Sequence, residues 1–195
     1  MKKTSFDFNA LSREHAMLAA HLAQTNAPVI ERVAGEIARC LSDGGTVFAC
    51  GNGGSASQAE HFAGELLGRF NLDRRALPVF ALSQNSTVLT AIANDTTYPL
   101  VFSRQLEGLG KNGDCLIALS TSGTSENIIE ACKTARGLGM NVFSLTGEGG
   151  GTVTAHSDIT LQVPSANTAR IQEIHLIMLH LICHLVEEQL FTENR

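Results

Sequence analysis

The stretch TVFACGNGGSASQAEHFAGELLGRF, residues 46–70, decides the fold, and the rest of the chain is interpreted around it. It begins with five uncharged residues, 46–50, a pattern typical of a strand buried on both faces of a sheet. The loop GNGGS, residues 51–55, has almost no side-chain bulk, and from Ala56 onward the sequence is compatible with a helix. A strand, a glycine loop and a helix N-terminus together can bind an anion, because the loop lets backbone N–H groups approach it.

Three chemically active side chains follow the glycine loop at intervals of four: His61, Glu65 and Arg69. This spacing predicts that they share one helix face, which places a candidate metal ligand, a carboxylate and a cation in line behind the anion site. Taken alone, a histidine and a glutamate one turn apart are equally consistent with an ordinary surface pair.

A second loop of small residues, STSGTS at 120–125, follows another apolar segment at 114–120. Four of its hydroxyls can donate to a phosphate without a fixed cation: Ser120, Thr121, Ser122 and Ser125. A capped turn needs only one such hydroxyl, so the density of hydroxyls favours an anion site. Both loops follow the carboxyl ends of predicted strands, and we expect them to face one ligand.

The other segments alternate between strands and helices. Strands are predicted at residues 46–50, 78–82, 114–120, 140–146 and 158–163. Helices are predicted at residues 9–24, 86–94, 99–108, 126–138 and 168–191, with one more that Asn26 caps and that ends at Asp43-Gly44-Gly45. This alternation indicates an α/β fold with a doubly wound parallel sheet of about five strands flanked by helices. We expect one domain, 1–195, with N-terminal helices in 1–43 that serve oligomerisation and an α/β core in 44–195.

Composition restricts the class of protein. A net charge of −5 argues against a general nucleic-acid-binding protein. The first ten residues, MKKTSFDFNA, lack the apolar centre of a signal peptide, and no uninterrupted apolar run suggests a membrane span. The five cysteines are odd in number and contain no C-x-x-C pair, which is typical of reduced core residues. We therefore expect a cytoplasmic protein without membrane or nucleic-acid partners.

The final predicted helix contains His180 among residues that are nearly all apolar. A histidine in such a position is usually a hydrogen-bonded core residue. His180 and His184 also lie one turn apart, which is the spacing of a metal-ligand pair. Spacing alone does not choose between these interpretations.

Several segments together resemble the sugar-isomerase (SIS) domain family, and within it the phosphoheptose isomerases: CGNGGSASQAEHFAGELLGRF, LTAIAND, ALSTSGTSENI, LTGEGGG and ARIQEIHLIMLH. The resemblance covers about residues 46–187. It implies a homotetramer with active sites at subunit contacts. It also implies an aldose–ketose isomerase that converts sedoheptulose 7-phosphate to D-glycero-D-manno-heptose 7-phosphate through an enediol(ate), the first step toward the heptose of lipopolysaccharide or related glycans.

The resemblance also implies roles for individual residues. Those that hold the sugar phosphate are Ser55, Ser120, Thr121, Ser122 and Ser125. Those that line the sugar are Asn52, Gly53, Gly54, Asn94 and Asp95. One zinc ion per subunit is held by His61, Glu65, Gln172 and His180; Glu65 and His180 also stand at the acid/base positions, while Glu65 and Gln172 contact substrate. We place Arg69 as an ion-pair partner of Glu65 or as a contact to substrate oxygens.

The sequence departs from the family pattern at two places: Thr124 stands where asparagine is usual, and Glu148-Gly149 replaces a basic residue and aspartate. Thr124 shortens a polar side chain, which bears on substrate placement. Gln172 and His180 are eight residues apart, ~12 Å along a helix axis. They can share one metal only if the helix start bends, the Gln172 side chain reaches, or two chains contribute.

Two alternatives to an isomerase come from the same fold. One is a tetrameric, non-catalytic adaptor that binds the bacterial replication initiator, a branch that LTAIAND and CHLVEEQLF also resemble. That branch lacks residues matching Glu65 and His180, and both are present here, which favours the enzyme. The other is a SIS-domain sensor of a different phosphosugar.

Overall fold

The computed structural model describes residues 7–192, and a five-stranded sheet in the order β2-β1-β3-β4-β5 lies at its centre. The strands are β1 Val47–Gly51, β2 Val79–Ala81, β3 Cys115–Ser120, β4 Asn141–Thr146 and β5 Ile159–Gln162. Every neighbouring pair is parallel. The predicted doubly wound α/β fold is confirmed.

Within residues 7–192, seven α-helices surround the sheet: α1 Phe8–His21, α2 Ala27–Ser42, α3 Gly54–Leu67, α4 Ser86–Asp95, α5 Ser103–Leu109, α6 Glu126–Gly137 and α7 Thr168–Phe191. Three short helical turns join them, a π-helix at Leu22–Asn26 and 3-10 turns at Tyr98–Leu100 and Thr152–His156. The termini of α7 coincide with the predicted ones.

Alternation along the strands divides the core into two layers. On β1, Val47 and Ala49 pack with helices α2, α3 and α7 on one face, while Phe48 and Cys50 pack with α5 and α6 on the other. All five residues of β1 are buried, as a strand covered on both faces requires.

The strand order creates a switch point between β1 and β3. From β1 the chain moves to β2 on one side, and it then crosses to β3 on the other side of β1. The pairing of β1 with β3 runs from Val47 opposite Cys115 to Gly51 opposite Leu119, so both strands end at the same level. A crevice opens beyond the carboxyl ends of such a pair, which is where open α/β sheets bind ligands.

Two local predictions are wrong. Asn26 does not cap a helix: the chain stays helical through the π-turn from α1 to α2, and the Asn26 amide instead donates to the carbonyl of Gln162, at 3.3 Å. The helix predicted over 99–108 is broken into the 3-10 turn and α5. At Asn26 a tertiary hydrogen bond outweighs the local capping signal.

Helix α7 is long and apolar enough to cross a membrane by length and composition, and 44% of its most apolar window is buried inside the fold. Its buried side chains, among them Ile174, Met178 and Ile182, belong to the core layer shared with α2 and α3. All five cysteines are free and buried, as predicted.

Candidate active site

The two loops predicted to face one ligand do lie side by side, because they follow β1 and β3 at the switch point. Helix α3 begins after Gly53, which adopts φ 54°, and α6 begins after Ser125. Within the described chain, no side chain caps either helix. In α3 the amides of Ser55 and Ala56 already donate to carbonyls of the glycine loop, so the first amides of α6 are the ones available to an anion.

The serine loop is organised mainly by its own hydroxyls. Ser120 Oγ accepts from the amide of Gly123 at 3.1 Å and lies 3.3 Å from Ser125 Oγ. Ser122 Oγ accepts from both the amide and the hydroxyl of Thr124. Ser122 is exposed, whereas Ser120 is buried. The loop thus carries several hydroxyls and no cationic side chain.

A third loop, which contains the glycines after β4, packs directly against the serine loop. Gly123 (φ 65°) lies so close to the glycines after β4 that a methyl group on it would be 2.0 Å from the carbonyl oxygen of Gly150. The amide of Val153 also donates to the carbonyl of Gly123 at 2.9 Å. The later glycines of LTGEGGG therefore allow a close backbone crossing, and Glu148 itself is exposed.

Three titratable side chains meet between α3 and α7. His61 Nε2 lies 2.8 Å from His180 Nε2 and 3.2 Å from Glu65 Oε1. One ligand atom from each of the three residues lies within 4.8 Å of the other two. His61 and Glu65 stand one turn apart on α3, and His180 comes from α7, 119 residues beyond His61.

Helices α3 and α7 run side by side in the same direction, which brings this cluster together. Gln58 Nε2 of α3 donates to the carbonyl of Gln172 near the start of α7, and His61 meets His180 further along. Phe70, just after α3, stacks on the His180 ring with centroids 5.6 Å apart. The imidazole is thereby covered on one face.

A buried ion pair holds the segment that carries Phe70. The side chains of Glu187 and Arg74 are each 1% exposed and pair at 2.9 Å. The Glu187 carboxylate also accepts from the backbone amides of Phe70, Asn71 and Leu72. Burial alone would raise the pKa of Glu187, but these amides and Arg74 lower it below its ordinary value. The charge is fully hydrogen-bonded, so the pair can define the position of this turn.

Arg69 is not where the spacing predicted. Helix α3 ends at Leu67, and Gly68 turns the chain away, so Arg69 does not share the helix face of His61 and Glu65. Over residues 7–192 Arg69 forms no salt bridge, and the buried cation of this region is Arg74. The prediction that Arg69 pairs with Glu65 is therefore wrong, whereas the predicted contact of Arg69 with substrate oxygens stays a prediction; the residue is exposed.

Gln172 lies apart from the three-residue cluster. A methyl group on Gly54 would be 2.7 Å from the Gln172 amide nitrogen, so this side chain faces the glycine loop. Gly54 precedes His61 by seven residues, about 10 Å along α3. Within one chain, Gln172 is therefore placed to contact a ligand of the glycine loop. His184 also lies outside the cluster, with its Nδ1 3.4 Å from the side-chain amide nitrogen of Asn71. His180 is therefore the α7 histidine that belongs to the cluster.

The remaining predicted residues lie in the two loops and at the end of α4. Gly53 and Gly54 are exposed and Ser55 is buried at the start of α3; Thr121 is half-buried. Asn94 and Asp95 end α4, where the Asn94 amide donates to the Asp95 carboxylate at 2.9 Å. Three residues later, the hydroxyl of Tyr98 donates to Asn52 Oδ1 at 2.9 Å.

Sequence reasoning missed four residues that shape the site: Tyr98, Asn127, Phe70 and Glu187. Glu187 carried a signal, because it is a charged residue in the apolar pattern of α7. Asn127 and Tyr98 carried none, since each acts through a contact with Asn52, which is distant in the sequence.

Known proteins resemble the chain in sequence and in structure. The SIS domain family matches residues 12–147. The phosphoheptose isomerase of Roseiflexus sp. strain RS-1 is 46% identical over 170 residues, covering 87% of this chain and 86% of the relative; that of Dechloromonas aromatica is 48% identical over 171 residues, covering 83% and 87%. The structure of a phosphoheptose isomerase from Francisella tularensis superposes with a TM-score of 0.89 at 36% identity, covering 92% of this chain and 96% of that one.

Proposed function

The chain belongs to the SIS-domain family as a sugar-phosphate isomerase of the phosphoheptose isomerase group, and from this premise we propose that it converts sedoheptulose 7-phosphate to D-glycero-D-manno-heptose 7-phosphate. The observation that carries the proposal is the convergence of Glu65 and His180, with His61, beside two uncapped helix N-termini. We further propose that it works as a cytoplasmic homotetramer in the supply of heptose for lipopolysaccharide or a related glycan.

Aldose–ketose isomerisation needs a base and an acid at adjacent carbons. In the proposed reaction one group removes a proton from the carbon beside the carbonyl, an enediol(ate) forms, and a proton returns to the neighbouring carbon. Glu65 and His180 supply a carboxylate and an imidazole close enough to serve the two carbons of one substrate. Stacking of Phe70 on His180 limits the freedom of that ring and supports its role in moving the proton.

The donor set of the cluster also fits a divalent metal such as zinc. The Nε2 atoms of His61 and His180 lie 2.8 Å apart, so one of them carries a hydrogen and the other directs its lone pair toward it. A carboxylate oxygen of Glu65 lies 3.2 Å from the same His61 nitrogen. Nitrogen and oxygen donors of this kind are zinc ligands. His61, Glu65 and His180 would hold the ion, with Gln172 as a ligand only if its side chain moves or another subunit contributes. When bound, the ion would polarise the substrate oxygens at the reacting carbons.

The phosphate would bind at the serine loop, away from the reacting carbons. Hydroxyls of Ser120, Ser122 and Ser125 and the amides at the start of α6 supply neutral donors and a partial positive charge. Anchoring a remote phosphate lets binding energy position the sugar at the acid and base. The negative net charge is no obstacle, because these donors need no lysine.

The adaptor alternative has no support among the relatives compared above, since those relatives carry the enzyme's name. A purely structural adaptor would also not need the carboxylate of Glu65 and the imidazole of His180 to lie close together.

The decisive experiment is a coupled assay of the 195-residue chain on sedoheptulose 7-phosphate. We expect turnover that is lost on treatment with a chelator and restored by zinc, and no turnover of the sugar without its phosphate. The His184→Ala variant is the matched control, because this histidine lies on α7 outside the cluster. A folded, zinc-loaded chain that leaves sedoheptulose 7-phosphate unchanged would refute the proposal.

A further inference from the structure

A closed hydrogen-bond bridge joins the two ligand loops through their asparagines. Asn52 Nδ2 donates to Asn127 Oδ1 at 2.8 Å, and Asn127 Nδ2 donates back to Asn52 Oδ1 at 2.8 Å. The hydroxyl of Tyr98 adds a second donor to Asn52 Oδ1 at 2.9 Å. Asn52 follows β1 in the glycine loop, and Asn127 is the second residue of α6, directly after the serine loop.

The three residues of the bridge differ in how deeply they are buried. Asn127 is 3% exposed, so its amide must be satisfied inside the protein, and Asn52 provides both a donor and an acceptor for it. Tyr98 is 55% exposed and reaches the bridge with its hydroxyl. Asn52 is half-buried at the crevice between the two strand ends.

The bridge determines what Asn52 can offer to a ligand. Its oxygen already accepts from two donors, and one of its two N–H groups is held by Asn127. The remaining N–H is the amide group left for a substrate oxygen, so Asn52 acts toward the sugar as a hydrogen-bond donor. Rotation of the amide would break all three bonds, which keeps this donor in place before substrate arrives.

We propose that Asn127 and Tyr98 are positioning residues that fix the amide of Asn52 for the sugar and hold the glycine loop in register with the serine loop. This inference rests on the proposed isomerase function, because it assumes that Asn52 contacts the sugar of a bound sugar phosphate. Neither residue needs to touch substrate: both act through Asn52. Preorganisation of this kind raises the fraction of bound substrate that is correctly oriented.

The test is a double-mutant cycle measured by steady-state kinetics on sedoheptulose 7-phosphate. Tyr98→Phe removes one hydroxyl at an exposed position, and kcat/KM should fall about fivefold. Asn127→Asp keeps the shape but places an acceptor against Asn52 Oδ1, and kcat/KM should fall about 30-fold. In an Asn52→Ala background, adding Tyr98→Phe should change kcat/KM by less than about twofold, because the group being positioned is absent.

Inorganic phosphate used as a competitive inhibitor separates the two halves of the site. Its inhibition constant should stay within about twofold of wild type in Tyr98→Phe, since the serine loop keeps its donors. Asn26→Ala is the matched control for Asn127. It removes another buried asparagine, one that bonds Gln162, and it should lower the melting temperature without changing KM.

Each possible result either supports or contradicts the positioning role. Non-additivity with Asn52→Ala and unchanged phosphate inhibition support positioning through Asn52. Full additivity, a parallel loss of phosphate inhibition, or wild-type kinetics in Tyr98→Phe overturns the positioning role while leaving the isomerase standing. A wild-type chain without turnover overturns the proposed function, and this inference with it.

Discussion

Glu65 and His180 have neighbours that make their roles separable from folding. The Glu65 side chain is 23% exposed, and His180 is half-buried beneath Phe70, so both can be changed without opening the core. Neither residue belongs to the two apolar layers that hold the sheet. Loss of activity in their variants can therefore be assigned to the site and not to unfolding of the core.

Replacing either residue should abolish most of the turnover. We expect Glu65→Gln and His180→Ala each to lower kcat by at least about a hundredfold, the usual contribution of a general acid or base. Circular dichroism and light scattering should show the wild-type fold and mass. Near-normal kcat in either variant would show that the assigned residue is not the acid or base.

His175 lies on the buried side of α7, and its titration affects the stability of the fold. It is fully buried, and since the carbonyl of Thr146 can only accept, Nε2 carries the hydrogen at 3.1 Å. Nδ1 has no partner among the described residues. Burial lowers the pKa of His175 from its ordinary 6.5 to about 4, although the bond to Thr146 opposes this. The ring is therefore neutral in the folded protein.

This depressed pKa predicts weaker folding in mild acid. As the pH falls below 6.5, the ordinary pKa, His175 becomes protonated in the unfolded chain, whereas in the folded chain it stays neutral until about pH 4. From pH 7 to pH 5 the free energy of unfolding should drop by about 2 kcal/mol through this residue. Urea titrations of the wild type and His175→Gln measure it: the variant should lose that part of the pH dependence. Identical pH profiles would contradict the assignment.

The serine loop and the glycines after β4 form one unit, because their backbones cross at Gly123. A side chain there meets the carbonyl of Gly150 and also requires a positive φ, which is unfavourable for any residue but glycine. The crossing therefore holds the backbone of the serine loop against the loop after β4.

Gly123→Ala should accordingly destabilise the protein by about 2 kcal/mol or more. Gly137→Ala is the matched control, since a methyl group there meets nothing within 4 Å and φ is ordinary; it should be neutral or slightly stabilising. Thermal and urea unfolding compare the two. Equal stabilities would mean that the backbone crossing is looser than described.

The loop should also control the binding of substrate more than its conversion. Ser122 is exposed and its hydroxyl is held by Thr124, so Ser122→Ala removes one donor without disturbing the core. We expect KM to rise about tenfold with a smaller change in kcat. An unchanged KM would indicate that this loop is an ordinary turn, as the capped-turn interpretation held.

At the scale of the whole molecule, the N-terminal helix α1 is mostly exposed in the single chain. Only Leu18 of α1 is buried, and Met17 is 66% exposed. His15 of α1 reaches Glu173 of α7 at 2.9 Å, which adds a polar contact to the packing of Leu18 in the core. Such a helix is suited to packing against other copies of the chain, in line with the proposed homotetramer.

Light scattering can test this arrangement. The wild type should have about four times the chain mass of 20.8 kDa, and Met17→Glu should shift it toward smaller species because it places a charge on the exposed face of α1. Leu109→Glu, at another exposed apolar residue outside the N-terminal helices, should keep the wild-type mass. The reverse pattern would place the interface at α5 instead.

Patterns within one segment were enough to predict the strand, glycine loop and helix around residues 46–70, the second loop at 120–125 and the termini of α7. Buried strands, loop glycines and one-sided helices are marked by neighbouring residues, so the parallel sheet and the meeting of its two loops followed from the chain alone. The family resemblance chose His180 over His184 before any contact was known.

The sequence could not predict contacts between distant segments. His61 meets His180 across 119 residues, and Asn52 meets Asn127 across 75. Spacing placed Arg69 beside Glu65, but Gly68 ends the helix first, and Arg74 becomes the buried cation because Glu187 of α7 lies next to it. Spacing describes one helix in isolation, whereas these positions depend on how α3 and α7 pack together.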